Sequence, residues 1–401
     1  MMSAKQPESV EPGPVIAGGS AIAVLADPVW PNLPLPALPP PPFLAFWFPS
    51  LALPSDTAQA QTVTAGGWLA SPELRSPLAA ARAQDHCSIA AIAQSWEQQQ
   101  IPFRWYGLTQ RATELEPVSS QLVAKSAAKS PILHPSSRVL ALVPHYRCER
   151  WLRRCLQSLV SQTRPPEAIA VLDDASPQPP LAIVQAFPTV TLLTTGTNVG
   201  PYRLVQQAID DTDYDAYLFQ DADDWSSGDR LARLLQTAAQ TGAELLGTQI
   251  LQLRADVANL TPIGFPLAVN QAVASKPGHP LSHPTSLVSR ALVQRLGGFA
   301  TGLRFGGDTE FLLRAVWQAR VVNVPIFGYF RRQRPDSLTT AAATGLGSPA
   351  RNALTQQLKA LARQRQRAGQ QGNQPNLRPL TVTEPIALQH LTGPRLAGWR
   401  S

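Results

Sequence analysis

An α/β fold with a mostly parallel sheet, covered by helices on both faces, is what this 401-residue sequence predicts. Three features carry the prediction. Apolar runs of strand length recur through the middle of the chain, segments of helical spacing alternate with them, and polar or acidic residues stand directly after the runs. A strand that is apolar along its whole length must be buried on both faces, which is the condition of a parallel sheet flanked by helices.

Taken in order, residues 138–143 form the first run, which ends at Pro144. Residues 151–161 follow with helical spacing, placing Trp151, Leu152, Cys155, Leu156 and Leu159 on one face. Residues 168–172 and 190–193 are the second and third strands. A helix with proline in its first turn suits 201–209. Residues 216–219 make the fourth strand, 228–241 another helix, and 245–253 a fifth strand. Right-handed crossovers are expected between parallel neighbours.

The flanks read differently. Thirteen of the 39 prolines fall within residues 1–54, with only Lys5, Glu8, Glu11 and Asp27 as charges, so residues 1–70 read as a disordered, proline-rich segment. Residues 71–137 are expected to hold a small helical region over 77–100, a short strand at 101–106 and a linker. The folded domain spans 138–340, and 341–401 is a basic C-terminal tail, read as solvated, with an anionic membrane surface as the alternative contact for its basic helix. The formal charge of +7 sits there: residues 1–137 sum to −2, residues 138–338 to +2 and residues 339–401 to +7. A nearly neutral middle argues against a nucleic-acid partner. The apolar stretch 41–53 is too short to span a membrane and is interrupted by Pro49. With no secretory leader in view, the expected location is cytoplasmic, with the inner face of the membrane as the one surface in question. Three cysteines exclude a disulfide scaffold, and Cys148 and Cys155 read as core thiols.

In open parallel sheets, ligands collect beyond the carboxyl ends of the strands. Here those ends carry Pro144-His145-Tyr146, Asp173-Asp174 and Gln220-Asp221-Ala222-Asp223-Asp224. Asp210, Asp211, Asp213 and Asp215 precede their strand and read as a solvated turn. Asp221, Asp223 and Asp224 follow it directly, where like charges repel, and oxygen ligands of this kind suit Mg²⁺ or Mn²⁺.

These motifs, in this order, resemble the family 2 nucleotide-sugar glycosyltransferases of the GT-A fold. Pro144-His145-Tyr146 matches that family's Pro-X-Tyr, Val171-Leu172-Asp173-Asp174-Ala175-Ser176 its Val-X-Asp-Asp-X-Ser, and Asn198-Val199-Gly200-Pro201 its Asn-X-Gly-Pro step. Asp221-Ala222-Asp223-Asp224 matches its Asp-X-Asp. The resemblance implies that Pro144 and Tyr146 line a base pocket and that Asp173 or Asp174 accepts from base or ribose. It further implies that Asn198 and Gly200 border the donor, that Asp221 faces the ribose and that Asp223 holds a divalent metal against the donor diphosphate. Tyr146 also reads as an ordinary strand-end aromatic.

Leu296-Gly297-Gly298-Phe299 resembles the turn that precedes the family's catalytic acid, and Phe305-Gly306-Gly307-Asp308-Thr309-Glu310 then opens a helix. Relatives carry a Glu-Asp pair where this chain has Gly307-Asp308. Asp308 is the implied general base for inverting transfer, with Glu310 in reserve; an acidic residue placed for the helix dipole is the alternative. Tyr329-Phe330-Arg331-Arg332-Gln333-Arg334 resembles the arginine-bearing strand that follows, and Arg332 is the implied phosphate contact, or else part of a solvated basic turn. His283 reads as a structural hydrogen-bonder, a metal ligand or an acceptor contact, and Gln206 has no assigned role. The function implied is sugar transfer from a nucleotide donor to a glycan, lipid-linked or protein acceptor, in cell-envelope or exopolysaccharide synthesis. The rival readings are a non-catalytic nucleotide-sugar-binding subunit and a nucleotidyltransferase of related fold. No glycine-rich, lysine-bearing loop follows the first strand to support the latter.

Overall fold

The computed structural model describes residues 132–399 except 255–258, 275–276 and 336, together with the backbone of five strands before residue 110. The chain divides into two units, one of residues 1–51 and 63–110, the other of residues 52–62 and 111–401. In the first, β1 (Ile16–Gly18), β2 (Ala21–Leu25), β3 (Phe43–Phe48), β4 (Gly67–Ala70) and β5 (Arg104–Thr109) are joined. β2 runs antiparallel to β1 and β4, β4 antiparallel to β3, and β3 parallel to β5. The rest of the proline-rich segment, the expected helix over 77–100 and the linker lie outside the described residues.

The second unit is built on β6 (Val139–His145), β7 (Ala168–Asp173), β8 (Val190–Thr194) and β9 (Ala216–Phe219), which are parallel in the order β8-β7-β6-β9. Alternate residues of β6 serve opposite faces. Val139, Ala141 and Val143 pack with the helices Glu149–Val160 and Arg230–Thr241, while Leu140 and Leu142 pack with Pro201–Asp210, Arg290–Arg295 and Gly307–Ala315. All five side chains are fully buried, which explains why no polar alternation interrupts this strand. The sheet continues through β13 (Leu287–Ser289) to β11 (Leu245–Arg254) and β14 (Val321–Gln333), which are parallel to one another. β13 runs antiparallel to both its neighbours, β9 and β11. Two shorter strands pair outside this path: β10 (Trp225–Ser226) with β14 and β12 (Asn259–Ile263) with β11.

The basic C-terminal stretch departs from a solvated tail. The helix Pro349–Gln370 buries Leu358, Ala362 and Arg365 against the domain. β15 (Gln389–Thr392) pairs antiparallel with β8 and closes that edge of the sheet, and Leu396 is buried beyond it. Its five positive charges made this stretch read as solvated. The helix in fact keeps a narrow apolar stripe inward, and the side chains of Lys359, Arg363 and Arg367 remain exposed. No helix among the described residues is long and apolar enough to cross a membrane.

Candidate active site

The carboxyl ends of β6, β7 and β9 bring their polar residues to one side of the sheet, as parallel neighbours must. At β7, both carboxylates are turned inward. Asp173 is fully buried; its Oδ1 lies 2.9 Å from His145 Nδ1, and its Oδ2 accepts from Thr194 Oγ1 at 3.0 Å and Ser176 N at 3.2 Å. Because Cys148 N donates to His145 Nε2, the imidazole proton belongs on Nδ1 and points at Asp173. Burial pushes the Asp173 carboxyl up, but these three bonds outweigh it and hold the group below its ordinary range. Asp174 accepts from Val199 N at 2.7 Å and Gly200 N at 2.9 Å, and its carbonyl accepts from Asn198 Nδ2. Gly200 has φ +88, which a side chain would resist, so glycine is required where the chain turns into the helix Pro201–Asp210. Through these bonds Asp173 and Asp174 brace the strand ends. The rim of the crevice is left to Pro144, half-buried, to Tyr146, 40% exposed beneath the Arg147 guanidinium, and to Asn198, exposed.

The turn after β9 is held differently. Arg230, fully buried, donates to Gln220 Oε1, Ser226 Oγ, Phe219 O and Pro284 O at 2.8–2.9 Å, fastening the turn to the segment before β13. The carboxylates of Asp221, Asp223 and Asp224 each offer an oxygen within 4.8 Å of the others. Asp221 is the exposed member. Desolvation by the crevice walls, and then the Asp223 carboxylate, nonetheless push its carboxyl up to about 7. Asp224 is buried and rises for the same two reasons.

Arginines face this cluster. Arg332 gives its backbone N–H to Asp224 Oδ1 at 2.6 Å and its Nε to the Asp223 carbonyl, with its guanidinium over Trp225. Arg334, two residues on, reaches the Asp223 carboxylate itself at 2.5 Å and lies over Trp151. Arg332 thus supports the turn, and Arg334 is the side chain that the sequence reading passed over. The period of two along an extended strand, which puts 332 and 334 on one side, was the available signal.

On the opposite wall, Asp308 occupies the first turn of the helix Gly307–Ala315 and accepts from Tyr202 Oη at 2.9 Å. Its charge acts on Asp221 and on His283, so the three groups lie near one another. His283 packs against the Phe219 ring at 4.1 Å, and burial lowers its pKa to about 4 despite the pull of Asp308. Glu310 cannot serve as a reserve base. It is fully buried, forked by Arg314 at 2.7–2.9 Å and approached by Arg365 at 3.9 Å. Gln206 ties the Gly298–Phe299 turn to the Pro201–Asp210 helix, accepting from Phe299 N at 2.9 Å. Cys148 and Cys155 are buried thiols; burial pushes Cys148 up to about 12 and Cys155 well up, so neither is reactive.

Three comparisons bear on this arrangement. Residues 141–295 match the family model described as glycosyl transferase family 2, a span that holds the Asp173-Asp174, Asn198–Pro201 and Asp221–Asp224 motifs and ends before Asp308. No curated protein matches the chain. Among solved structures, the chain is similar to S. aureus TarS 1–349 in complex with UDP-GlcNAc, at 19% identity and TM-score 0.41, covering 50% of this chain and 60% of that one. It is also similar to TarS 1–349 in complex with UDP, at 19% identity and TM-score 0.41 over 57% and 71% of the two chains. A third match, to S. aureus TarS, has 20% identity and TM-score 0.41 over 51% and 37%. The chain therefore spans about three fifths of the length of the first of these structures.

Proposed function

We propose that this chain, a glycosyltransferase whose residues 141–295 form a glycosyl transferase family 2 domain, moves a sugar from a nucleoside-diphosphate donor to an acceptor hydroxyl with inversion at the anomeric carbon. The observation that carries the reading is the shared crevice: a crowded carboxylate cluster at the end of β9 and one half-buried carboxylate, Asp308, across from it. Tyr146 and Pro144 form the rim against which the base lies, with Asn198 and Gly200 at the adjoining turn and Asp221 toward the ribose. Arg332 and Arg334 supply positive charge on the diphosphate side.

Asp308 takes the proton of the acceptor hydroxyl as its oxygen bonds to the anomeric carbon from the face opposite the diphosphate. The bond from that carbon to the diphosphate oxygen breaks, and its electron pair leaves with the nucleotide. The three carboxylates fit a divalent cation, since hard oxygens this close together suit Mg²⁺ or Mn²⁺. Asp223 would hold it with Asp224 beside it, and it would supply charge against the departing diphosphate. The acceptor class that the resemblance implies is a cell-envelope or exopolysaccharide glycan.

The test is a panel of UDP-, GDP- and dTDP-sugars, beginning with UDP-GlcNAc, read by thermal shift and by release of nucleoside diphosphate, with and without Mn²⁺. One donor should stabilise the protein, more so with Mn²⁺, and should be hydrolysed slowly with water as acceptor. Stabilisation without turnover on any acceptor tried would favour the binding-subunit alternative. No stabilisation by any donor would overturn the proposal.

A further inference from the structure

Tyr202 and Asp308 are 106 residues apart and meet across the crevice, with the phenol donating to Asp308 Oδ1 at 2.9 Å. Two features of the sequence make the meeting possible. Tyr202 follows Gly200–Pro201 and so stands in the first turn of its helix, beside the strand ends. Residue 307 is glycine: a Cβ there would come within 2.7–3.1 Å of the Tyr202 ring carbons. The missing side chain is the space that the ring fills.

The ring is also fixed from its other side. It stacks on Phe299 at 6.5 Å and 16°, and Phe299 stacks on Phe311 at 4.3 Å and 19°. Phe311 belongs to the same helix as Asp308, so tyrosine and carboxylate are referred to one rigid element. Burial, and then the Asp308 charge, hold the phenol well above its ordinary pKa, so it remains a donor. Packing alone would be satisfied by phenylalanine. The hydroxyl adds a bond to one carboxylate oxygen.

We infer that Tyr202 is a positioning residue: its hydroxyl clamps Asp308 Oδ1 so that Oδ2 is presented to the acceptor hydroxyl. This rests on the reading of Asp308 as the general base. A carboxylate free to rotate would lose that alignment, and small misplacements of a catalytic group cost up to about 100-fold in rate.

The test compares Tyr202→Phe, Gly307→Ala and Asp308→Asn in the full chain, using the nucleotide sugar of the panel above that the wild type hydrolyses fastest. Tyr202→Phe keeps the ring and should lower kcat by roughly 10- to 100-fold, with donor KM within about twofold and an unchanged melting temperature. Gly307→Ala keeps the tyrosine but pushes its ring, and the hydroxyl with it, aside from Asp308, and should show the same split between kcat and KM; it also decides the matter if Tyr202→Phe does not fold. Wild-type kcat in both variants, with turnover lost in Asp308→Asn, would overturn the inference and leave the base intact. So would a parallel change in kcat, KM and melting temperature, which is the mark of a merely structural contact. Wild-type kcat in Asp308→Asn would instead remove the base reading, and the inference with it.

Discussion

Two strand ends on either side of β6 carry aspartates, and they are put to opposite uses. At the end of β7, Asp173 and Asp174 receive five hydrogen bonds from His145, Ser176, Thr194, Val199 and Gly200. At the end of β9, Asp221, Asp223 and Asp224 are left to crowd one another, with the Arg332 N–H on Asp224 and the Arg334 guanidinium on Asp223. A carboxylate whose lone pairs are filled by the protein fixes geometry, whereas one held beside its like invites a cation or another positive group. The acidic residue type is the same at both ends, and the supply of donors decides the role.

The sharpest way to break this contrast is to neutralise one member of each group. Asp223→Asn should lower turnover by roughly 10²- to 10³-fold, as removal of a preorganised electrostatic partner does, with a melting temperature close to wild type. Steady-state kinetics beside a thermal melt measures both. Asp173→Asn should do the reverse. It leaves His145 and Thr194 against a poorer acceptor in a buried place, for a loss of about 2–4 kcal/mol in unfolding free energy. A shifted urea midpoint without change in slope would register it. If Asp173→Asn kept full stability and lost donor binding, the brace assignment would fail.

Acid should separate the regions further. Burial sets the folded pKa of His283 at about 4 against an ordinary 6.5, so the unfolded chain binds the extra proton first. The sign follows: this contribution to stability is fully present above pH 6.5 and is lost as pH falls toward 4. Its full extent is about 3–3.5 kcal/mol. Asp173 is depressed instead, so its contribution holds above the ordinary carboxylate value and fades only at lower pH. Denaturant midpoints between pH 7 and pH 4 should therefore fall in the wild type and stay flatter in His283→Gln. The smallest expected effect is at the periphery. Lys359→Gln and Arg363→Gln, on the exposed face of the C-terminal helix, should each change stability by less than about 0.5 kcal/mol.

Much of this arrangement could be read in the residues. The four parallel strands were legible because both their faces are apolar, and the ends of β7 and β9 because acidic residues stand where apolar runs stop. What stayed hidden depended on long-range partners. β13 is three residues long and runs against its neighbours, so no periodicity could declare it. The pairing of His145 with Asp173 spans 28 residues and arises only because β6 and β7 lie side by side. Glu310 looked available as an acid in a first helical turn, yet Arg314 stands four residues on, and that spacing was the overlooked sign of an internal ion pair. β15, with the sequence Gln-His-Leu-Thr, has no strand signature of its own and takes its form from the edge it covers.

That last strand bears on how the protein is made. Synthesis proceeds from the N-terminus, so β8 is complete almost two hundred residues before the chain that will cover it exists. Throughout that interval a growing polypeptide presents an open row of backbone donors and acceptors, the kind of border on which foreign strands assemble. A message truncated before codon 389 would leave the border permanently open, and its product belongs in the insoluble fraction even though every residue of the crevice is present.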